Sequence, residues 1–147
     1  MIKEHIIEVL LVEDNERDAD LTLRSLEKYK ISNHIKWVKD GEEALDYLFG
    51  ENQYEGRDIN KQPNVVLLDL KMPKLNGIEV LEKIRANEKT QKLPVVMVTS
   101  SQEEKDIVRS YDLGVNSYIV KPVDFNKFTE SIRDIGYYWL VMNKKPN

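Results

Sequence analysis

Residues 63–101 read PNVVLLDLKMPKLNGIEVLEKIRANEKTQKLPVVMVTSS. Two runs in this stretch, 64–68 and 94–99, are apolar almost without interruption. Strands of that kind are buried on both faces, as in a parallel sheet covered by helices on either side. Between them, residues 77–86 place Ile78, Leu81 and Ile84 on one helical stripe. The stretch therefore reads as a β-α-β unit with a right-handed crossover, and its first strand ends in Asp69.

The same alternation extends outward in both directions. Further strands are expected at 6–12, 34–38 and 117–120, and further helices at 15–28, 42–49, 102–113 and 124–142. The first helix carries Ala19, Leu23 and Leu26. The second carries Ala44, Leu45 and Leu48. The fourth carries Ile107, Val108, Tyr111 and Leu113, and the last Phe125, Phe128, Ile132, Ile135 and Trp139. Five strands and five helices in strict order predict a doubly wound α/β sheet, with ligands bound beyond the C-terminal strand ends. Residues 50–63 (GENQYEGRDINKQP) are polar and too long for an ordinary connection, so they are expected to move. Only a short basic tail, 143–147, follows the last helix, so residues 1–147 read as one domain with no output module.

Composition excludes several classes. The 147 residues hold 22 Lys and Arg against 26 Asp and Glu, a formal charge of −4 that disfavours nucleic acid and anionic lipid. With no cysteine there is no disulfide, thiolate zinc site or cysteine nucleophile. No run approaches the ~18 apolar residues of a membrane span, and the N-terminus lacks signal-peptide order, so the expected compartment is the cytoplasm.

The chemistry lies at the strand ends. The first strand ends in Glu13-Asp14, the third in Asp69, the fourth in Thr99-Ser100-Ser101 and the fifth in Lys121-Pro122. An α/β sheet brings these positions to one rim. Three carboxylates there repel, at about 4 kcal/mol per pair for ~4 Å and an effective dielectric near 20. A hard divalent cation such as Mg²⁺ relieves that repulsion through oxygen ligands. His5 and His34 begin strands on the opposite rim. Taken singly, each residue has an ordinary reading: Asp14 or Asn15 as a helix cap, Thr99-Ser100-Ser101 as cap chemistry, and Tyr118 as a plain strand aromatic. Two acidic strand ends, a hydroxyl and a lysine on one rim are harder to attribute to chance.

The motifs LLVEDN, DGEEALDYL, VVLLDLKMPKLNGIEVLEKIR, LPVVMVTSS and LGVNSYIVKPV resemble the receiver domain of two-component response regulators, over essentially the whole chain. The long loop after the second helix, SYIVKPVDF and the aromatic ending YYWL resemble the small single-domain regulators paired with bacterial and cyanobacterial phytochromes. The resemblance implies a flavodoxin-like (βα)5 fold with strand order 2-1-3-4-5. It implies Asp69 as phosphoacceptor from a partner histidine kinase, a phytochrome among the candidates. Mg²⁺ would be held by Glu13, Asp14, Asp69 and the backbone carbonyl of Lys71. Lys121 would neutralise phosphoryl charge, Thr99 would hydrogen-bond the phosphoryl group, and Tyr118 would turn in step with Thr99. Lys71 and Ser101 would tune dephosphorylation. The Lys121-Pro122 bond is expected to be cis. Glu13 departs from the Asp found in many receivers, which bears on metal geometry. Such a protein is not an enzyme beyond its own phosphotransfer and autodephosphorylation, and it signals through a downstream protein or shuttles phosphate in a relay.

Two other readings compete. A haloacid dehalogenase phosphatase also uses a strand-end Asp, but it needs a second acid where Lys71 stands. A flavodoxin-like FMN carrier needs a hydroxyl- and Gly-rich loop where VEDNERD stands. On the last helix, Tyr137 and Val141 fall about 120° and 160° from Phe125, away from the core stripe. That exposed pair predicts a homodimer through the C-terminal helix.

Overall fold

The computed structural model describes residues 8–28, 34–121, 126 and 130. In chain order the elements are β1 (Glu8–Val12), α1 (Glu16–Lys28), β2 (His34–Val38), α2 (Gly41–Phe49), a 3-10 turn (Asn52–Tyr54), β3 (Val65–Leu68), α3 (Gly77–Ala86), β4 (Val95–Thr99), α4 (Glu104–Asp112) and β5 (Ser117–Val120). All strand pairs are parallel and the order is β2-β1-β3-β4-β5, as expected. Of the expected fifth helix only Asn126 and Glu130 are described, both helical, and the Lys121-Pro122 bond, His5 and the Tyr137–Val141 pair lie outside the described residues.

The strands are apolar on both faces because each face has its own helical cover. Leu10, Val12, Val66, Leu68, Val95 and Met97 pack with Ala44 and Leu48 of α2 and Val80, Leu81 and Ile84 of α3. Val9, Leu11, Val65, Leu67, Val96 and Val98 point the other way, against Ala19 and Leu26 of α1. The strand period of two thus sends neighbours into opposite cores.

Caps fix where the helices begin. Asp40 accepts from the Glu43 amide at 2.8 Å and opens α2. Asn76 and Glu79 form a reciprocal capping box that opens α3. At Gly77 a side chain is excluded by close approach: a Cβ would stand 2.5 Å from the Asp69 carbonyl oxygen and 2.7 Å from Leu70 Cα.

Two expectations need correction. On α4 only Ser110 is buried, whereas Val108 and Tyr111 are 50% and 51% exposed. The inward stripe runs through Ser110, which lies about 160° and 100° around the helix from Val108 and Tyr111. The segment 50–63 is tied down rather than loose. Arg57 stacks 3.9 Å from the Tyr47 ring centroid and donates to the carbonyls of Tyr47 and Lys61. The Tyr54 hydroxyl donates to Glu43 at 2.7 Å, and Gln62 donates to the Leu48 and Ile59 carbonyls. These partners are mostly backbone carbonyls, which composition does not reveal.

Candidate functional site

The rim is assembled by backbone first. The Asp69 amide donates to the Val12 carbonyl at 3.1 Å, which extends the β1–β3 ladder past the strand ends. The Glu13 amide donates to the Val38 carbonyl at 3.1 Å, and the Trp37 indole donates to the Glu13 carbonyl at 2.8 Å. The Lys121 amide donates to the Thr99 carbonyl at 2.8 Å. Four strands thereby present side chains to one rim at the switch point between β1 and β3.

Carboxylate oxygens of Glu13, Asp14 and Asp69 all lie within 4.8 Å of one another. Glu13 and Asp69 are buried and Asp14 is exposed. The cap role open to Asp14 belongs instead to Asn15, whose Oδ1 accepts from the Asp18 amide at 3.0 Å. Asp14 is therefore free to serve the cluster. Burial pushes the Glu13 carboxyl up to about 8, and the neighbouring Asp69 pushes it the same way while Lys121 opposes. The set is all-oxygen, anionic and partly desolvated, and this donor chemistry fits a hard divalent cation. Asp14 and Lys71 also line one open cleft of about 570 Å³, with Met72, Asn76 and Asp106 on its walls. The Lys71 amide donates to Asp69 Oδ1 at 3.3 Å, which sets that carboxylate's orientation.

Lys121 is the cation of the site. Its Nζ donates to Glu13 Oε1 at 2.7 Å, Asp18 Oδ2 at 2.8 Å and Asp69 Oδ2 at 3.2 Å. Burial alone would lower its pKa, but the bonds to Asp18 and Glu13 and the charge of Asp69 hold it above the ordinary lysine value. Asp18 was not among the residues expected from sequence. It lies one helical turn after Asp14, on the first turn of α1. That spacing was the available signal, but acids are common there because they complement the helix dipole.

Thr99 and Tyr118 meet at Ser101. The fully buried Thr99 hydroxyl accepts from the Ser101 amide at 3.3 Å, and the Tyr118 hydroxyl donates to the Ser101 carbonyl at 3.0 Å. The Ser101 hydroxyl donates in turn to Asp106 Oδ2 on α4 at 2.6 Å. The β4–α4 connection is thus wired to the rim on one side and to β5 and α4 on the other. Burial raises the Tyr118 phenol above its usual value, its bond to Ser101 notwithstanding. His34 opens β2 at the far rim, as expected.

Comparison with known proteins agrees with this geometry. A model of the response regulator receiver domain matches residues 9–133. The chain is similar to the solved bacteriophytochrome response regulator RtBRR, with 51% identity, 97% of this chain and 85% of that one covered, and a TM-score of 0.81. It is 41% identical over 138 residues to the probable methanogenesis regulatory protein FilR2 of Methanothrix harundinacea, covering 94% of this chain and 86% of that protein. It is 35% identical over 132 residues to response regulator Rcp1 of Synechocystis, covering 90% and 88%. A structure of Rcp1 with Mn²⁺ bound aligns at a TM-score of 0.76 and 33% identity, covering 96% of this chain and 99% of that one. Receiver domains bind a divalent metal, and the acidic rim offers the ligands for one. By fold, rim and sequence, the chain belongs to the response regulator receiver family.

Proposed function

We propose that Asp69 accepts a phosphoryl group from the phosphohistidine of a partner kinase, and that the phosphorylated rim signals by changing what the protein binds. The observation that carries this reading is the convergence of Glu13, Asp14 and Asp69 within 4.8 Å, with Lys121 bonded to two of them. An Asp69 oxygen attacks phosphorus, the P–N bond breaks, and the imidazole leaves with the electron pair. In the later hydrolysis water attacks phosphorus, the P–O bond to Asp69 breaks and leaves the carboxylate with the electron pair, and inorganic phosphate departs with the water's oxygen and protons. A divalent cation, Mg²⁺ in the cell, held by Glu13, Asp14, Asp69 and the Lys71 carbonyl, would supply positive charge to the phosphoryl oxygens. Lys121 already bonds Asp69 Oδ2 and turns that bond to a phosphoryl oxygen as charge builds there.

The Thr99 hydroxyl, which accepts from the Ser101 amide, turns away from it to donate to a phosphoryl oxygen. Ser101 then loosens, and Tyr118 and α4 follow through their bonds to it. The partner kinase is of the phytochrome class, as the likeness to bacteriophytochrome response regulators supports, and the exchange occurs in the cytoplasm. Beyond its own phosphotransfer and autodephosphorylation the chain catalyses nothing. The receiver pairs with a second copy through the helix expected at 124–142, on whose helical wheel Tyr137 and Val141 fall away from the apolar stripe. Sedimentation equilibrium of wild type and of the Tyr137→Ser/Val141→Lys protein tests the dimer, and a monomeric wild type ends it.

Incubation with acetyl phosphate or a phosphorylated kinase is expected to give an acid-stable, base-labile label. Label must be lost in Asp69→Asn and in EDTA. An Asp69→Asn protein that takes up label as wild type does removes the assignment.

A further inference from the structure

Lys121 spends its ammonium on three carboxylates, and they are not equivalent. Glu13 and Asp69 belong to the oxygen cluster, and both change their surroundings when a cation and a phosphoryl group arrive. Asp18 stands outside that cluster among the described residues, yet its Oδ2 is 2.8 Å from Lys121 Nζ. It reaches across 103 residues of sequence, from the first turn of α1 to the end of β5. Its backbone is fixed independently of this bond. The Asp18 amide donates to the Asn15 side chain, and its carbonyl accepts from the Thr22 hydroxyl at 2.9 Å.

An acid in a first helical turn is ordinarily explained by the helix dipole, and its side chain then faces water. Here the carboxylate turns inward onto the site's cation. The lysine it meets sits on a flexible four-carbon stem, with little geometry of its own to aim the ammonium.

We propose that Asp18 is a positioning residue for phosphoryl transfer: it anchors the Lys121 ammonium, through their ion pair, at the place where the phosphoryl oxygens arrive. This rests on the reading of Asp69 as phosphoacceptor and Lys121 as its charge partner. Of the three carboxylates on Lys121, Asp18 alone neither carries the phosphoryl group nor joins the metal cluster. It can keep its bond while the lysine exchanges Asp69 oxygen for phosphoryl oxygen. Because uptake and hydrolysis both pass through a transition state with charge on the same oxygens, the anchor serves both reactions. A misplacement of about 1 Å in such a site can cost on the order of a hundredfold in rate, so loosening one of three tethers is expected to cost about tenfold.

The test is label uptake from acetyl phosphate with Mg²⁺ across donor concentrations, and the decay of the label after donor removal. It uses the full chain as wild type, Asp18→Asn, Asp18→Glu, Lys121→Ala and the Asp18→Asn/Lys121→Ala double variant. Asp18→Asn is expected to lower the maximal uptake rate and the decay rate each by about tenfold, with half-saturating donor and Mg²⁺ affinity within about twofold of wild type. Asp18→Glu recovers most of both rates. In the Lys121→Ala background Asp18→Asn changes neither rate, because the anchor has nothing left to hold. Uptake in Asp18→Asn as fast as or faster than wild type overturns the proposal, as does an equal loss in both backgrounds. Label retained in Asp69→Asn, or a Lys121→Ala protein as fast as wild type, removes instead the reading beneath it.

Discussion

The indole Nε1 of Trp37 donates to the backbone carbonyl of Glu13 at 2.8 Å, tying edge strand β2 to the residue that opens the acidic rim. The bond places a fluorophore beside a residue proposed as a ligand of the cation. Mg²⁺ binding at Glu13 and Asp14 should therefore alter Trp37 emission. The measurement is a Mg²⁺ titration of the Trp139→Phe protein, in which Trp37 is the remaining tryptophan. A saturable change is expected, and it should be absent in Asp14→Asn/Glu13→Gln. Emission flat through a titration that calorimetry shows to bind would refute the link.

Arg57 is the fastener of the segment after α2. It stacks on Tyr47, reaches the Tyr47 carbonyl at 2.9 Å and reaches the Lys61 carbonyl at 2.8 Å. Arg57→Ala removes two charge-assisted hydrogen bonds and the ring contact. Amide hydrogen exchange over 55–62 should rise at least tenfold in Arg57→Ala, while β1 and β3 exchange as before. Equal exchange in the two proteins would mean that Tyr54 and Gln62 hold the segment alone.

Legibility followed how local the cause was. The sheet was readable because VVLL and VVMV are apolar at every position, and only a strand covered on both faces needs that. Glu13, Asp14, Asp69 and Lys121 were readable because each follows a strand, so topology alone brings them to one rim. Asp18 was not, because its partner is distant in sequence and its own turn of α1 offers an ordinary reason for an acid. Arg57 was hidden for a related reason, since the carbonyls it bonds belong to every residue type. On α4 the helical period was visible but not its phase, as Ser110 rather than Val108 or Tyr111 faces the domain.

Arg85 is expected to matter for stability and not for the site. Its guanidinium donates to the carbonyls of Leu93, Leu113 and Gly114 at 2.8 Å each, and to that of Gln91 at 3.2 Å. One side chain on α3 thus satisfies carbonyls of two separate connections, before β4 and after α4. Arg85→Met should cost about 3 kcal/mol in urea unfolding, since hydrogen bonds to charged groups contribute about 1.5–3 kcal/mol and the carbonyls are left behind. Arg85→Lys should recover less than half, because one ammonium cannot match the planar fork. Mg²⁺ affinity should be unchanged in both, and a Lys variant as stable as wild type would contradict the account.

Gly77 couples the start of α3 to the peptide of Asp69, the proposed phosphoacceptor. A Cβ there meets the Asp69 carbonyl oxygen at 2.5 Å and Leu70 Cα at 2.7 Å, both backbone, so the chain itself must move. The Gly77 amide also donates to the Leu70 carbonyl at 2.7 Å, a bond that the same movement would stretch. Gly77→Ala should destabilise by about 1–3 kcal/mol, the usual range for overpacking. It should also slow label uptake at Asp69 more than an equally destabilising change elsewhere, for which Arg85→Met is the control. Equal uptake rates in the two variants, measured where both are fully folded, would show that Gly77 serves packing alone.

The acidic rim itself should reverse its effect on stability with metal. Without a cation the carboxylates of Asp14 and Asp69 repel, the Glu13 carboxyl joins them only as it ionises near its raised pKa of about 8, and Lys121 offsets only part of this. Asp14 is the exposed member and makes no ion pair with Lys121 among the described residues. Asp14→Asn should therefore raise the melting temperature in EDTA by removing repulsion at little other cost. With Mg²⁺ at about a hundred times its Kd, the wild type gains about 2.7 kcal/mol, because the cation binds the folded rim and not the unfolded chain. Asp14→Asn loses a ligand and most of that gain, so the order of the two melting temperatures should cross between EDTA and saturating Mg²⁺. Two curves that stay parallel in both conditions would mean that Asp14 is not a ligand.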